Sequence, residues 1–150
     1  LETTADRVKV CGGNPLAAAD FHGEEAIDAV LSMVAVACCA QGITRFRGVG
    51  NLRWKESDRI SDLARELRKL GVEVTEHDDG LTVHGQPDGY AGGIEINTYQ
   101  DHRMIMTFAV LALRTHRGLV LNGAEHVRKS YPGFFADLAS LGAKVEFIAD

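Results

Sequence analysis

Asn51-Leu52-Arg53-Trp54-Lys55-Glu56-Ser57-Asp58-Arg59-Ile60 sets three bases and two acids within the seven positions from Arg53 to Arg59. An apolar segment precedes this stretch and a helical stripe follows it. A helix opening at Glu56 would put Glu56 and Arg59 three residues apart on one face. Lys55 would then project at the helix mouth, where unpaired backbone N–H groups favour anions. Two readings fit. One is a solvated helix start laced with ordinary ion pairs; the other is a grip for a phosphate or carboxylate with an acid beside it. Trp54 is expected to pack beneath the loop.

Working outward, the stripe Ile60, Leu63, Leu67 and Leu70 reads as a helix over about 56–70, stopped by Gly71. Val72 to Glu76 and Leu81 to His84 flank Asp78-Asp79-Gly80, a hairpin signal. Upstream, Ile43 to Arg47 alternates as a strand, and Ile27, Leu31, Val34 and Cys38 recur at helical spacing. That recurrence predicts a buried helix over about 25–40, closed by Gly42. Arg7 to Cys11 alternates as a further strand, ended by Gly12-Gly13-Asn14-Pro15, and Leu16 to His22 is a loop or short strand. Downstream, Ile94 to Tyr99 reads as a strand, and Asp101 can cap a helix carrying Met104, Ile105, Phe108 and Leu111. Leu119 to Leu121 is a strand, Val127 to Pro132 a loop, Gly133 to Leu141 a short helix and Ala143 to Ile148 a strand.

The two halves repeat. Leu67-x-x-Leu70-Gly71-Val72-x-Val74 matches Leu138-x-x-Leu141-Gly142-Ala143-x-Val145, a period of 71 residues, longer than the common solenoid repeats. The expected architecture is α/β (α+β), with a βαβαββ unit used twice, at about 1–85 and 86–150. These units would share one architecture.

Composition narrows the function classes. A chain of 150 residues can bury a real core, and 45% apolar with 25% charged residues is the balance of a globular domain. The net charge of −5 argues against a general nucleic-acid binder, so basic residues matter locally. No apolar run reaches membrane-spanning length, the longest (Val30 to Ala40) being broken by Ser32. The opening Leu-Glu-Thr-Thr-Ala-Asp has no secretory-signal pattern, and its first residue, Leu, hints at a piece of a longer chain. Cys11, Cys38 and Cys39 lack zinc-ligand spacing and suit a reducing compartment, so no metal is expected.

Basic residues emerge at comparable places in the repeat: Lys55 with Arg59, His102 with Arg103, and Arg128 with Lys129. Converged on one surface, they would suit a small, multiply anionic ligand, Arg forking onto carboxylate and Lys offering a point charge for phosphate. There is no GxxxxGK[ST] loop, which disfavours a nucleotide. Asp28 falls in the first turn of an otherwise apolar helix, where it either complements the helix dipole or does chemistry at the cost of burial. Glu56 is either an ion-pair partner or a general acid/base.

Three motifs in order, Asn51-Leu-Arg-Trp-Lys55-Glu56-Ser-Asp-Arg59-Ile, Tyr99-Gln-Asp101-His102-Arg103-Met-Ile-Met and Lys129-Ser-Tyr-Pro-Gly-Phe-Phe, closely resemble the C-terminal motifs of the 5-enolpyruvylshikimate-3-phosphate synthase family, over nearly the whole chain. The resemblance implies part of one domain of an inverse α/β barrel, in which two domains of three βαβαββ units each close on the substrates. It implies enolpyruvyl transfer from phosphoenolpyruvate to shikimate 3-phosphate in the cytoplasm, with release of phosphate and no metal or organic cofactor.

By the same resemblance, Asp28 contacts shikimate hydroxyls and transfers protons, and Glu56 transfers protons at the enolpyruvyl methylene. Asn51 and Lys55 contact the shikimate phosphate. Arg59 and Arg103 clamp phosphoenolpyruvate, Lys129 lies near its phosphate, and His102 supports them. One departure falls after Asp28, where Leu31-Ser32 replaces the usual Pro-Thr. The resemblance also implies a partner in the remainder of the same enzyme, which brings further Lys, Ser and Arg contacts. Without it, the 150-residue chain is expected to be inactive. The alternatives are transfer to a UDP-amino sugar, whose family lacks the Lys-Glu-Ser-Asp-Arg run, and a non-catalytic anion-binding or assembly module of the same fold.

Overall fold

The computed structural model describes residues 2–4, 6–9 and 13–148. Its first four-stranded sheet holds β3 (Asp20–His22), β4 (Gly42–Arg47), β5 (Glu73–His77) and β6 (Gly80–Gly85) in the order β3-β4-β6-β5. β3 runs parallel to β4, and β6 is antiparallel to both β4 and β5. The parallel pair needs a crossover, which α1 (Val30–Cys38) supplies, whereas the hairpin β5–β6 turns on Asp78 and Asp79 alone. With α2 (Arg59–Leu70) between β4 and β5, the connection is βαβαββ. A second sheet pairs β7 (Ile94–Asn97) parallel to β8 (Leu119–Asn122), joined through α3 (His102–Ala112) and followed by α4 (Phe134–Ser140). A short antiparallel pair, β1 (Glu2–Thr3) with β2 (Val8–Lys9), precedes both sheets.

One continuous core serves both sheets. Val30, Leu31 and Val34 of α1, Ile60, Leu63 and Leu67 of α2, and Met104 and Phe108 of α3 meet Phe46, Leu81 and Ile96 from the strands, all essentially solvent-free. α1 packs on α3 as well as on β6, so the second half of the chain completes the burial of the first. Each such aliphatic side chain contributes about 1.5–3 kcal/mol on leaving water.

The sequence repeat has a physical cause at its glycines. Gly71 ends α2 with φ 92°, its N–H bonding Arg68 O while Val72 N bonds Leu67 O. Gly142 follows α4 with φ 101°, its N–H bonding Ala139 O while Ala143 N bonds Leu138 O. Both are the two-bond stop that needs a left-handed residue just past the helix.

Several expectations are corrected. The helix expected over 25–40 is a 3₁₀ segment, Glu24–Ala29, with a non-helical Ala26, leading into α1; Gly42 begins β4 and is not the helix stop. α2 starts at Arg59, not Glu56, because the Asp58 side chain accepts from Ser61 N and caps it there; Gly50–Trp54 forms a separate 3₁₀ turn. Trp54 does not pack beneath the loop; it is 86% exposed. β7 stops at Asn97, since the chain turns sharply after Thr98. The loop expected over 127–132 begins as a 3₁₀ turn, Ala124–Lys129. Residues 143–148 form no strand, having no neighbouring strand among the described residues to pair with. The strand expected over Arg7 to Cys11 is seen at Val8–Lys9, and residues 10–12 lie outside the described ones.

Two glycines separate steric from conformational constraint. A Cβ on Gly80 would collide with the Phe46 carbonyl oxygen, whereas one on Gly71 would meet nothing among the described residues. Gly80→Ala is expected to cost about 1–3 kcal/mol through displaced strands, and Gly71→Ala about 1–2 kcal/mol through its left-handed backbone alone. Urea unfolding of the two variants checks this, together with β-sheet circular dichroism that changes only for Gly80→Ala.

Candidate active site

The site is built on Asp101, the residue before α3. Its Oδ1 accepts from Arg103 N at 2.9 Å, capping the helix, and also from Arg59 Nη2 at 3.1 Å. Its Oδ2 accepts from Arg59 Nε at 2.7 Å and, at the limit of hydrogen bonding, from Ser57 Oγ at 3.5 Å. Arg59 is the first residue of α2 and only 2% exposed, and Asp101 is fully buried. A bidentate pair of this kind joins the starts of two helices 42 residues apart in sequence.

The network continues outward. Arg59 Nη2 also donates to Glu56 Oε2 at 2.8 Å, and Lys129 Nζ donates to Glu56 Oε1 at 2.7 Å. Arg103 turns the other way, with Nη1 on Asp28 O at 2.9 Å and Nη2 at 3.2 Å from Asp28 Oδ2. Thus Asp28, Glu56, Arg59, Arg103 and Lys129, taken from four separate segments, form one chain of contacts through Asp101. Arg59 Nη1 makes no hydrogen bond among the described residues. Asp28 is largely exposed, at the end of the 3₁₀ segment, so the expected burial cost on its carboxylate does not arise.

Asn51 and Lys55 are not drawn into this network. Both are exposed, on and just after the Gly50–Trp54 turn, and neither side chain has a partner among the described residues. Arg53, the remaining base of the stretch, is committed to structure. Its Nε bonds Asp78 O, its Nη1 bonds the Asp58 carboxylate and Ser61 Oγ, and its Nη2 bonds Glu76 Oε1 and His77 O. With its donor groups engaged this way, Arg53 bolts the 50–58 segment to the β5–β6 hairpin. Lys55 and Glu56 are thereby presented from a fixed loop.

Electrostatics distinguish the titratable groups. Lys129, then the loop's own backbone donor, then Arg59, hold the Glu56 carboxyl down at about 2 against a smaller opposing effect of burial. Glu56 is therefore a carboxylate at neutral pH. Burial pushes His102 below the ordinary imidazole range, against the pull of Asp101 and Glu56, so the ring is neutral at neutral pH. Its Nδ1 is buried and makes no hydrogen bond among the described residues. Such an atom costs about 1–3 kcal/mol unless a partner meets it.

Chemically, three cations (Arg59, Arg103, Lys129) are matched by three internal carboxylates (Asp28, Glu56, Asp101), two of which are accessible. An incoming anion can replace Glu56 on Lys129 and Asp28 on Arg103 without opening the buried pair. Among the described residues no three His, Cys, Asp or Glu side chains are grouped to hold a metal ion, and no helix is long and apolar enough to cross a membrane. Cys38 is buried with its thiol pushed up to about 12, chiefly by burial. Sequence reasoning saw Asp101 only as a cap. Its hold on Arg59 had one local signal, an acid directly before His102-Arg103 in a helix start otherwise rich in cations.

The mixed α/β fold of this chain has counterparts among enolpyruvyl transferases. Over 79% of this chain and 27% of its own, an EPSP synthase structure from Acinetobacter baumannii superimposes with a TM-score of 0.72 at 36% identity. The enolpyruvyl transferase NikO from Streptomyces tendae covers 88% of this chain and 29% of its own with a TM-score of 0.70; at 23% identity that likeness shows the fold alone. The family model for EPSP synthase (3-phosphoshikimate 1-carboxyvinyltransferase) matches residues 1–138, and the chain belongs to that family. Relatives named 3-phosphoshikimate 1-carboxyvinyltransferase include one from Deinococcus radiodurans, 46% identical over 95% of this chain, and one from Burkholderia pseudomallei, 39% identical over 97%. The chain spans about a third of the length of either relative (32%).

Two outcomes test this geometry. Asp101→Ala strands a buried guanidinium and is expected to cost about 3–5 kcal/mol, while Lys129→Ala, at an exposed pair, costs under about 1 kcal/mol; urea unfolding measures both. For Glu56, the folded-state pKa of about 2 lies below the ordinary 4.5. Its contribution to stability is therefore fully present above pH 4.5 and is lost as pH falls toward 2. Glu56→Gln is expected to flatten acid unfolding across that window, and Lys129→Ala to narrow the window from its acid end.

Proposed function

We propose that this chain forms part of an enzyme that transfers the enolpyruvyl group of phosphoenolpyruvate to the 5-hydroxyl of shikimate 3-phosphate, releasing phosphate. The observation that carries the reading is the Lys129–Glu56–Arg59–Asp101 chain of contacts, in which a titratable carboxylate is shared between an exposed and a buried cation. Supporting it are the family membership and the three motifs, of which Glu56, Arg59, Asp101, Arg103 and Lys129 come together here. The substrates are phosphoenolpyruvate and shikimate 3-phosphate, the remainder of the same enzyme is the partner, and the setting is cytoplasmic. The chain itself contributes two units of one domain, at about 1–85 and 86–150.

The roles are those the family resemblance implies, and the geometry is compatible with them. Arg59 is fixed by Asp101 and offers Nη1 to a carboxylate or phosphate without reorganising. Arg103 and Lys129 leave Asp28 and Glu56 to meet the anion. Asn51 and Lys55, free on their loop, take the phosphate of the shikimate ligand, and His102 meets a substrate oxygen with its neutral ring. In the net reaction the hydroxyl oxygen bonds the enolpyruvyl carbon, the bond from that carbon to the phosphate oxygen breaks, and the hydroxyl proton passes to a base.

Glu56 is unsuited to hold a proton while Lys129 depresses it. Once Lys129 turns to phosphate, the largest cause of that depression is gone, and the carboxyl rises back toward its ordinary value, which eases proton uptake. Anion binding thus arms Glu56. Asp28 exchanges Arg103 for substrate in the same way.

The test is phosphate release from phosphoenolpyruvate and shikimate 3-phosphate by the complete protein. Glu56→Gln is expected to lower kcat about 10²- to 10⁴-fold with little change in substrate affinity. Lys129→Ala is expected to lower kcat/KM about 10- to 150-fold, the loss of a charge-assisted contact. The 150-residue chain alone should bind inorganic phosphate in the millimolar range, about −4 kcal/mol, with no turnover. Near-normal kcat in Glu56→Gln, or steady turnover by the isolated chain, would overturn this reading.

A further inference from the structure

The turn that delivers Asp101 is strained. Tyr99 and Gln100 both have left-handed backbones, with φ of 54° and 56°, and Asp101 N bonds Thr98 O at 2.9 Å. This is a primed type I turn, a conformation that glycine and asparagine adopt readily and that tyrosine and glutamine resist. Two bulky residues in such a turn hold that shape only where the surroundings enforce it.

The enforcement comes from α2. Glu66 is completely buried, two helical turns along from Arg59. Its Oε1 accepts from the Tyr99 hydroxyl at 2.9 Å, and its Oε2 accepts from Asn97 N at 3.1 Å and Lys69 Nζ at 2.7 Å. Arg65 adds a hydrogen bond to the Tyr99 oxygen at 2.9 Å, with its guanidinium 5.8 Å from the ring centre. From inside the turn, Asn97 Oδ1 accepts from Tyr99 N at 2.9 Å. α2 therefore grips residues 97–101 at two points, Arg59 on Asp101 and Glu66 on Asn97 and Tyr99.

We propose that Glu66 and Tyr99 are positioning residues for the anion site, holding the left-handed Tyr99–Gln100 turn so that Asp101 aims Arg59 and Arg103 at one ligand. Neither touches that ligand. Without the clamp the turn relaxes, Asp101 withdraws from one or both of its donors, and the Arg59 and Arg103 donors diverge. This rests on the anion-site reading above.

The experiment measures inorganic phosphate binding to the complete protein by calorimetry, together with KM for phosphoenolpyruvate and kcat. Arg103→Ala, the control, is expected to weaken phosphate binding at least tenfold. Tyr99→Phe is expected to weaken it about fivefold or more and to raise KM more than it lowers kcat. Adding Gln100→Gly to Tyr99→Phe should restore affinity to within twofold of the parent, because glycine adopts the left-handed turn unaided. A merely structural Tyr99 would lower the melting temperature and leave phosphate affinity in the folded protein unmoved.

If Arg103→Ala weakens binding but Tyr99→Phe does not, the positioning role is wrong and the anion site stands. Weakening by Tyr99→Phe that Gln100→Gly fails to reverse also overturns the positioning role. An unchanged affinity in Arg103→Ala itself overturns the anion-site reading, and this inference with it.

Discussion

A guanidinium and a carboxylate withdrawn from water together organise this chain. Arg59 and Asp101 each lie at the first turn of a helix, where a cation is opposed by the helix dipole and an anion is favoured. Arg59 is tolerable at the start of α2 because Asp101 neutralises it, and Asp101 is tolerable in the core because Arg59 and the Arg103 amide satisfy its oxygens. Desolvating such a pair costs several kcal/mol per ion, so it adds little net stability, yet losing one partner is far costlier than losing both. Its value lies in register. The pair ties the start of α2 to the start of α3, and Glu56 and Arg103 are bonded directly to its members.

Around the pair, charge is arranged by accessibility. Asp101 is sealed, Arg59 keeps a small exposed fraction of 2%, Glu56 is partly open, and Lys129 and Asp28 are exposed. The inner contacts are therefore shielded from water and the outer ones open to exchange with it. Arg53 extends the same logic to the preceding loop, holding Lys55 and Glu56 against the β5–β6 hairpin while taking no ligand contact itself.

What could be read from sequence was whatever is locally encoded. The stripe Ile60, Leu63, Leu67 and Leu70, the Asp78-Asp79-Gly80 turn and the glycine stops at Gly71 and Gly142 each depend on a few neighbouring residues, and each is found. Helix starts were misjudged where a cap competed, as at Asp58, which overrules Glu56. An aromatic side chain is usually buried, and nothing near Trp54 in sequence reveals that no described element covers it. Residues 143–148 alternate like a strand but have no neighbouring strand to bond among the described residues, and pairing is not a local property. At the site, the candidates were visible as charge clusters, but the joining role of Asp101 was not, since it depends on an arginine 42 residues away.

The exposure of Trp54 gives the molecule an optical handle. It is the only tryptophan among the 150 residues, it is 86% exposed, and it immediately precedes Lys55 and Glu56 on a loop stiffened by Arg53. An indole in water emits at long wavelength and is easily reached by quenchers such as iodide or acrylamide. An apolar surface that comes to rest over the Asn51–Glu56 loop and takes the indole out of water shifts that emission toward the blue and shields it. The fluorescence of this one side chain therefore reads out, in real time, whether the loop faces solvent or something else.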